Sequence, residues 1–204
     1  MDELLDGFQR FRTSQLPDLQ GRFQQLARLG QAPKAVVVSC CDSRVDPQLI
    51  FQAGPGDLFV IRNVANLVPP YHPNADYHGT SAALEFGIRN LGTPRIVVLG
   101  HTLCGGIRAL LEDDQDGDFI GTWMAIAQPV RDRVCGCGGC HEVTEDMNRA
   151  AEVEGIRVSL DNLITFPWIK ERVEAGTLTL HGWLFDVASG DLRMVDERRA
   201  IGAA

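Results

Sequence analysis

Cys40, Asp42 and Arg44 stand in the run Ser39-Cys40-Cys41-Asp42-Ser43-Arg44-Val45, directly after the apolar stretch Ala35-Val36-Val37-Val38. A second apolar stretch, Arg95-Ile96-Val97-Val98-Leu99, runs into Gly100-His101-Thr102-Leu103-Cys104-Gly105-Gly106. Two thiols and one imidazole brought together make a three-ligand zinc site with a fourth position left over. That count suits a hydrolytic or hydration enzyme better than a zinc finger, which closes all four positions. Two thiolates cancel the metal's charge, so such a site acidifies water less strongly than three neutral imidazoles do. Another group must then favour the hydroxide or accept its hydrogen bond. Asp42, two residues from Cys40, points the same way as Cys40 in an extended segment. Arg44 continues the alternation and is placed to hold the Asp42 carboxylate ionised through a bidentate pair.

Each apolar run reads as a short buried strand, so both motifs fall at strand carboxyl ends, where open α/β sheets place their ligands. Strands are predicted over 35–39, 57–61, 95–99, 177–185 and 192–195. Helical segments intervene over 47–51, 80–90, 105–111, 123–134 and 158–174, the first opening with Asp46 as N-cap and Pro47 at the first helical position. The alternation predicts an α/β fold: a mostly parallel central sheet of about four strands, flanked by helices. The turn residues Ala188-Ser189-Gly190-Asp191 lie between the last two strands, so a hairpin adds an antiparallel strand at the edge. Ahead of the first strand, Leu4, Leu5, Phe8, Phe11, Phe23, Leu26 and Leu29 recur at helical spacing, with Pro17 expected to divide two helices and Gly30 to end the second. So much amphipathic helix needs a surface to cover, and a partner subunit supplies one. The chain is read as a single domain over 1–204, with an N-terminal helical arm over 1–30 and an α/β core over 31–204.

A formal net charge of -8 argues against nucleic-acid binding and against adhesion to anionic membranes. No stretch approaches ~18 consecutive apolar residues, so no membrane span is expected. The start Met-Asp-Glu-Leu-Leu-Asp is acidic and lacks a secretory pattern, which makes a cytoplasmic location the expectation. Six cysteines in such a chain favour metal or redox chemistry over a disulfide framework.

The spacing of Cys40, Asp42, Ser43 and Arg44, followed by His101, Cys104, Gly105 and Gly106, resembles the β-class carbonic anhydrases. Similar stretches are Gly56–Asn66, Gly79–Phe86 and His181-Gly182-Trp183, so the resemblance runs from about Gln31 to about Val195. It implies one zinc ion per chain, held by Cys40, His101 and Cys104, with Asp42 and Arg44 as the catalytic dyad. Gln31, Phe59, Val64 and Phe86 are implied to line a narrow apolar pocket for carbon dioxide. Gln31 and the backbone N–H of Gly105 are implied donors to bicarbonate. The implied reaction is attack of zinc-bound hydroxide on carbon dioxide, in a homodimer or homotetramer whose N-terminal helices wrap the partner. Some family members regulate themselves through a bicarbonate site of Trp, Arg and Tyr. Here Arg62 is present, while Val37 and Phe185 stand at the other two positions, so that device is not expected to operate. Phe86 stands where plant-type members carry Tyr. Asp42 can also close the metal in this family; with Arg44 competing for it, the open form is expected. Hydrolysis of carbonyl sulfide or carbon disulfide is a rival on the same fold.

A second group, Cys135, Cys137, Cys140 and His141, sits in a glycine-rich stretch that the family does not generally carry. Three thiols and an imidazole suffice for a second metal site; the alternative is a loop of redox-active thiols, and with it a non-enzymatic zinc or redox sensor. Cys41 is expected to pack as an unligated thiol facing away from Cys40. His72 is expected in a solvated loop, and Trp123 and Trp168 in the core.

Overall fold

The computed structural model describes residues 2–74, 76–113, 117–136, 140 and 142–198. In chain order the strands are β1 (Ala35–Cys40), β2 (Leu58–Asn63), β3 (Arg95–His101), β4 (Thr179–Phe185) and β5 (Leu192–Arg198). They form one sheet in the order β2-β1-β3-β4-β5. The first four are mutually parallel, and β5 closes the edge antiparallel to β4, as the alternation predicts. All six residues of β1 are buried, which is why its sequence is a continuous apolar run and not an alternating one. Ser39 lies opposite Leu99 across β1 and β3, so the two strands deliver Cys40 and His101 to the same carboxyl edge.

Helix α3 (Pro47–Ile50) follows β1, and the Asp46 side chain caps it by accepting from the N–H groups of Gln48 at 2.8 Å and Leu49 at 3.3 Å. Helix α4 (Gly79–Glu85) continues as a π-helical turn over Phe86–Asn90, α5 (Gly105–Glu112) starts at the sheet edge, and α6 (Ile120–Met124) leads to α7 (Gln128–Cys135). The segment predicted as one helix over 158–174 is two, α8 (Glu145–Thr165) and α9 (Pro167–Glu174). Pro167 disfavours helical geometry at Phe166, which takes φ -74° and ψ 115° and ends α8. The earlier start of α8 is fixed by Thr144, whose hydroxyl accepts the Met147 N–H at 3.2 Å.

Ile156, Leu160 and Leu163 of α8 pack on Val36, Val38, Ile96 and Val98, forming the main core on one face of the sheet. Close approach needs glycine beneath the helix: a Cβ at Gly100 or Gly182 would stand 2.7 or 2.6 Å from Ile156. A smaller cluster of Ala35, Val37, Val45, Val97 and Leu99 lines the opposite face. Beyond the carboxyl ends, Leu67, Ile107, Leu110, Leu111 and Met124 form a third cluster that includes Cys40 and Cys104.

Helix α1 (Asp2–Arg10) runs through a π-helical turn at Phe11–Gln15 into α2 (Leu16–Leu29). Pro17 therefore does not break the path; it falls in the first turn of α2, where a missing N–H costs no hydrogen bond. Gly30 ends α2 with φ +80°, its N–H bonded to Leu26 at 2.9 Å. No residue of α1 or α2 is buried, and Leu4, Leu5, Phe8 and Leu29 are exposed. No helix among the described residues is long and apolar enough to cross a membrane.

Candidate active site

Cys40 ends β1, His101 ends β3, and Cys104 stands three residues on, at the N-terminus of α5. All three are buried, and their two sulfurs and one ring nitrogen lie within 4.8 Å of one another. In a tetrahedral zinc site such donors stand about 3.8 Å apart, so the arrangement needs only slight contraction. His101 Nδ1 lies 2.9 Å from the Thr102 carbonyl, which can only accept, so Nδ1 carries the proton. Nε2 is left with a lone pair, buried and without a hydrogen-bond partner among the described residues. An orphaned nitrogen facing two sulfurs is the donor set that a zinc ion fits.

The electrostatics agree with that fit. The neighbouring Cys104 side chain lowers the pKa of the Cys40 thiol, against the opposing effect of burial. Cys104 is pushed up by the Cys40 side chain and by burial, while the backbone N–H groups of Ile107 and Gly106 favour its thiolate. Cysteine ligates metal as the thiolate, so a metal bound here displaces thiol protons. For His101, burial opposes the charged ring, and the nearby Cys40 sulfur and the Thr102 carbonyl outweigh it, raising the pKa.

Asp42 stands outside the three-donor group. Its carboxylate accepts from Arg44 Nε at 2.9 Å and Nη2 at 2.7 Å, and from the Arg44 backbone N–H at 2.9 Å. These donors hold Asp42 well below the usual carboxylate range against a modest burial effect. The same Nη2 reaches the Leu103 carbonyl at 3.0 Å, tying the β1 loop to the loop after β3. Arg62 adds a second clamp, donating to the carbonyls of Cys40, Asp42 and Val45 at 3.0, 2.7 and 2.9 Å.

The family model for carbonic anhydrase matches residues 35–192, a span that contains all of these groups. The chain belongs to the carbonic anhydrase family. A carbonic anhydrase of Synechococcus elongatus is 36% identical over 198 residues, covering 96% of this chain and 71% of that protein. The structure of the β-carbonic anhydrase CcaA superposes with a TM-score of 0.88 at 37% identity, covering 96% of this chain and 95% of the other. A tetrameric β-carbonic anhydrase from Sordaria macrospora gives 0.81 at 27% identity, covering 95% of each chain. This protein is thus a β-class carbonic anhydrase by family, a carbonate dehydratase.

The pocket residues implied for a β-class carbonic anhydrase are not all brought together within one chain. Val64 follows β2 directly, and a Cβ at Gly106 would meet its side chain at 2.9 Å, so Val64 lies beside the start of α5. Gly105 is exposed there, with nothing within 4 Å of where a Cβ would stand. Phe59 and Phe86 stack on each other with ring centroids 6.0 Å apart. Phe59, however, pairs with Val36 while Asn63 pairs with Cys40. Four residues of strand separate the two levels, about 13 Å, so this ring pair lies far below its own chain's Cys40. Gln31 is exposed between α2 and β1.

Among the second cysteine group, Cys135 and Cys140 are joined in a disulfide, while Cys137 and His141 lie outside the described residues. The disulfide engages two of the three thiols, so Cys135 and Cys140 are not free metal donors here, and of the two readings of this group it is the redox one that they fit. Cys41 is also a correction: its thiol is free but exposed, because β1 ends at Cys40 and no layer covers the next residue. His72 is exposed, as expected of a loop residue, and Trp123 is half-buried with its ring N–H bonded to the Val64 carbonyl at 2.9 Å. One residue escaped the sequence reading. Glu152 of α8 is 4% exposed and accepts the Cys104 N–H at 3.1 Å. Burial raises its pKa against the backbone N–H groups of Cys104 and Leu103. Its signal was present in the sequence: Glu152 shares a helix face with Ile156, Leu160 and Leu163, a carboxylate in an apolar stripe.

Proposed function

We propose that this protein catalyses the reversible hydration of carbon dioxide to bicarbonate and a proton, with one zinc ion per chain held by Cys40, His101 and Cys104. The observation that carries this reading is the buried His101 Nε2, without a hydrogen-bond partner among the described residues, within 4.8 Å of two buried thiols. Zinc held by these three residues would supply a Lewis acid that lowers the pKa of a bound water.

The remaining work falls to the chain. Arg44 keeps Asp42 ionised and engages both its oxygens, so Asp42 is not part of the three-donor group and is read as not closing the site. The Asp42 carboxylate accepts a hydrogen bond from the attacking water and so aims an oxygen lone pair at the carbon of carbon dioxide. Gly105, at the N-terminus of α5, offers its backbone N–H to the oxygen that gains charge. Carbon dioxide and water together make bicarbonate, and one proton leaves to buffer.

A homodimer or homotetramer supplies what one chain lacks. Phe59 and Phe86 lie far from their own Cys40, and Phe86 is 46% exposed, as is fitting for a side chain that lines a partner's site. Gln31 and the exposed apolar residues of α1 and α2 join the same interface in this reading.

The test is stopped-flow carbon dioxide hydration across pH, paired with zinc analysis and with turnover on carbonyl sulfide. Rapid hydration at about one zinc per chain is expected. Full activity after exhaustive chelation, or turnover confined to carbonyl sulfide, would sink the proposal.

A further inference from the structure

We infer that Glu152 is a positioning residue for the metal site, holding the turn that presents Cys104 through a hydrogen-bond acceptor supplied from α8. The turn between β3 and α5 is backbone that does not hold itself. Leu103 has φ +60°, a left-handed conformation that a γ-branched residue adopts only when its surroundings impose it. Leu103 is also 56% exposed, so packing of its own side chain does not impose it. What faces the turn from the protein interior is the Glu152 carboxylate, bonded to the Cys104 N–H at 3.1 Å and with the Leu103 N–H also directed at it. From the solvent side, Arg44 grips the Leu103 carbonyl at 3.0 Å. The strained peptide is thus held from both sides.

Glu152 itself is rigidly placed. It lies one helical turn before Ile156, which rests on Gly100 and Gly182, and Asn148 donates to Glu152 Oε1 at 3.4 Å from the preceding turn. The helix that packs the core therefore sets the height of the sulfur relative to Cys40 and His101. A buried carboxylate with no cationic partner hydrogen-bonded to it among the described residues is costly to keep in a core. Its hydrogen bonds go to the amide beside a ligand and to a side chain on its own helix, which is where such an expense has a function.

The inference rests on the reading of Cys40, His101 and Cys104 as a zinc site, and the experiment separates the two. Zinc affinity is measured by chelator competition on the full-length wild type, Glu152→Leu and Glu152→Gln, with cobalt substitution reporting the thiolate-to-metal absorption band. Glu152→Leu removes the acceptor and is expected to lower affinity by about tenfold to a hundredfold and to shift the cobalt band. Glu152→Gln keeps a carbonyl acceptor and is expected to stay within about threefold of wild type. A wild type that binds no zinc sinks the metal reading itself. Wild-type affinity in Glu152→Leu, or equal losses in both variants, overturns the positioning role alone. Should Glu152→Leu fail to fold, amide exchange in metal-free protein decides: the Cys104 N–H is expected to be protected in wild type and to stay protected in Glu152→Gln. An unprotected Cys104 amide overturns the inference.

Discussion

Arg44 grips Asp42 with two parallel N–H donors and a backbone N–H, and the same guanidinium reaches across to the Leu103 carbonyl beside Cys104. One side chain therefore both orients the carboxylate proposed as catalytic and fastens together the loops that carry the candidate metal donors. Replacing Asp42 by Asn keeps the shape and removes the charge. Zinc content is expected to stay at about one per chain, while hydration falls by about a hundredfold or more, in keeping with loss of a positioned proton acceptor. Arg44→Lys is expected to fall nearly as far, since an ammonium cannot reproduce the fork. Metal analysis beside stopped-flow rates checks both. Wild-type turnover in Asp42→Asn would remove Asp42 from the mechanism.

The pH dependence follows from the sign of the Asp42 shift. Its folded pKa is depressed, first by the Arg44 side-chain bonds, so the ion pair's contribution to stability is fully present above the unfolded value of about 3.9. That contribution is lost as pH falls through the lower folded pKa. The stability gap between wild type and Asp42→Asn is therefore expected to be flat from neutral pH down to about pH 5 and to close in stronger acid. Denaturant titrations of both proteins at several pH values measure it. A gap that closes near neutral pH would mean that Asp42 is not held ionised by Arg44.

Cys104→Ala removes one of two sulfurs and leaves His101 Nε2 facing a single thiol. Zinc is expected to drop to trace levels and hydration with it, because three protein ligands are the minimum for a catalytic site. Chelation of the wild type should reproduce the same loss and be reversed by added zinc. Since cysteine ligates zinc as the thiolate, zinc uptake should release protons into weakly buffered solution. Hydration persisting in zinc-free Cys104→Ala protein would end the metal mechanism.

Much of this was legible before folding. The apolar runs at 35–38 and 95–99 are buried on both faces, so they signal strands without alternation, and the motif residues sit one step beyond them. The hairpin at 188–191 was equally plain from its turn residues. Less legible was α8, whose buried face includes Glu152, Gly155 and Ser159, so that its polar and apolar residues do not segregate in the usual way. Its first three turns were missed for that reason, and Glu152 with them. Phe59 and Phe86 were legible as a pair but not in their distance from Cys40, because that depends on strand register.

Gly182→Ala tests whether the packing of α8 is coupled to the metal site. A Cβ at position 182 would stand 2.6 Å from the Ile156 side chain and 2.9 Å from that of Leu160, both confined in the core. Overpacking of this kind costs about 1–3 kcal/mol, partly offset by the gain from replacing a strand glycine. The melting temperature is expected to fall by roughly 2–4 °C per kcal/mol for a chain of this length. Relief of the clash moves Ile156 away from the sheet, and Glu152, one turn earlier on α8, moves with it. Zinc affinity is therefore expected to weaken along with stability. Gly190→Ala supplies the control: φ is +78° and nothing lies within 4 Å of its Cβ, so only backbone strain of about 1 kcal/mol acts there. That variant is expected to lose stability and keep full zinc affinity. Equal zinc affinity in both variants would uncouple the helix from the site.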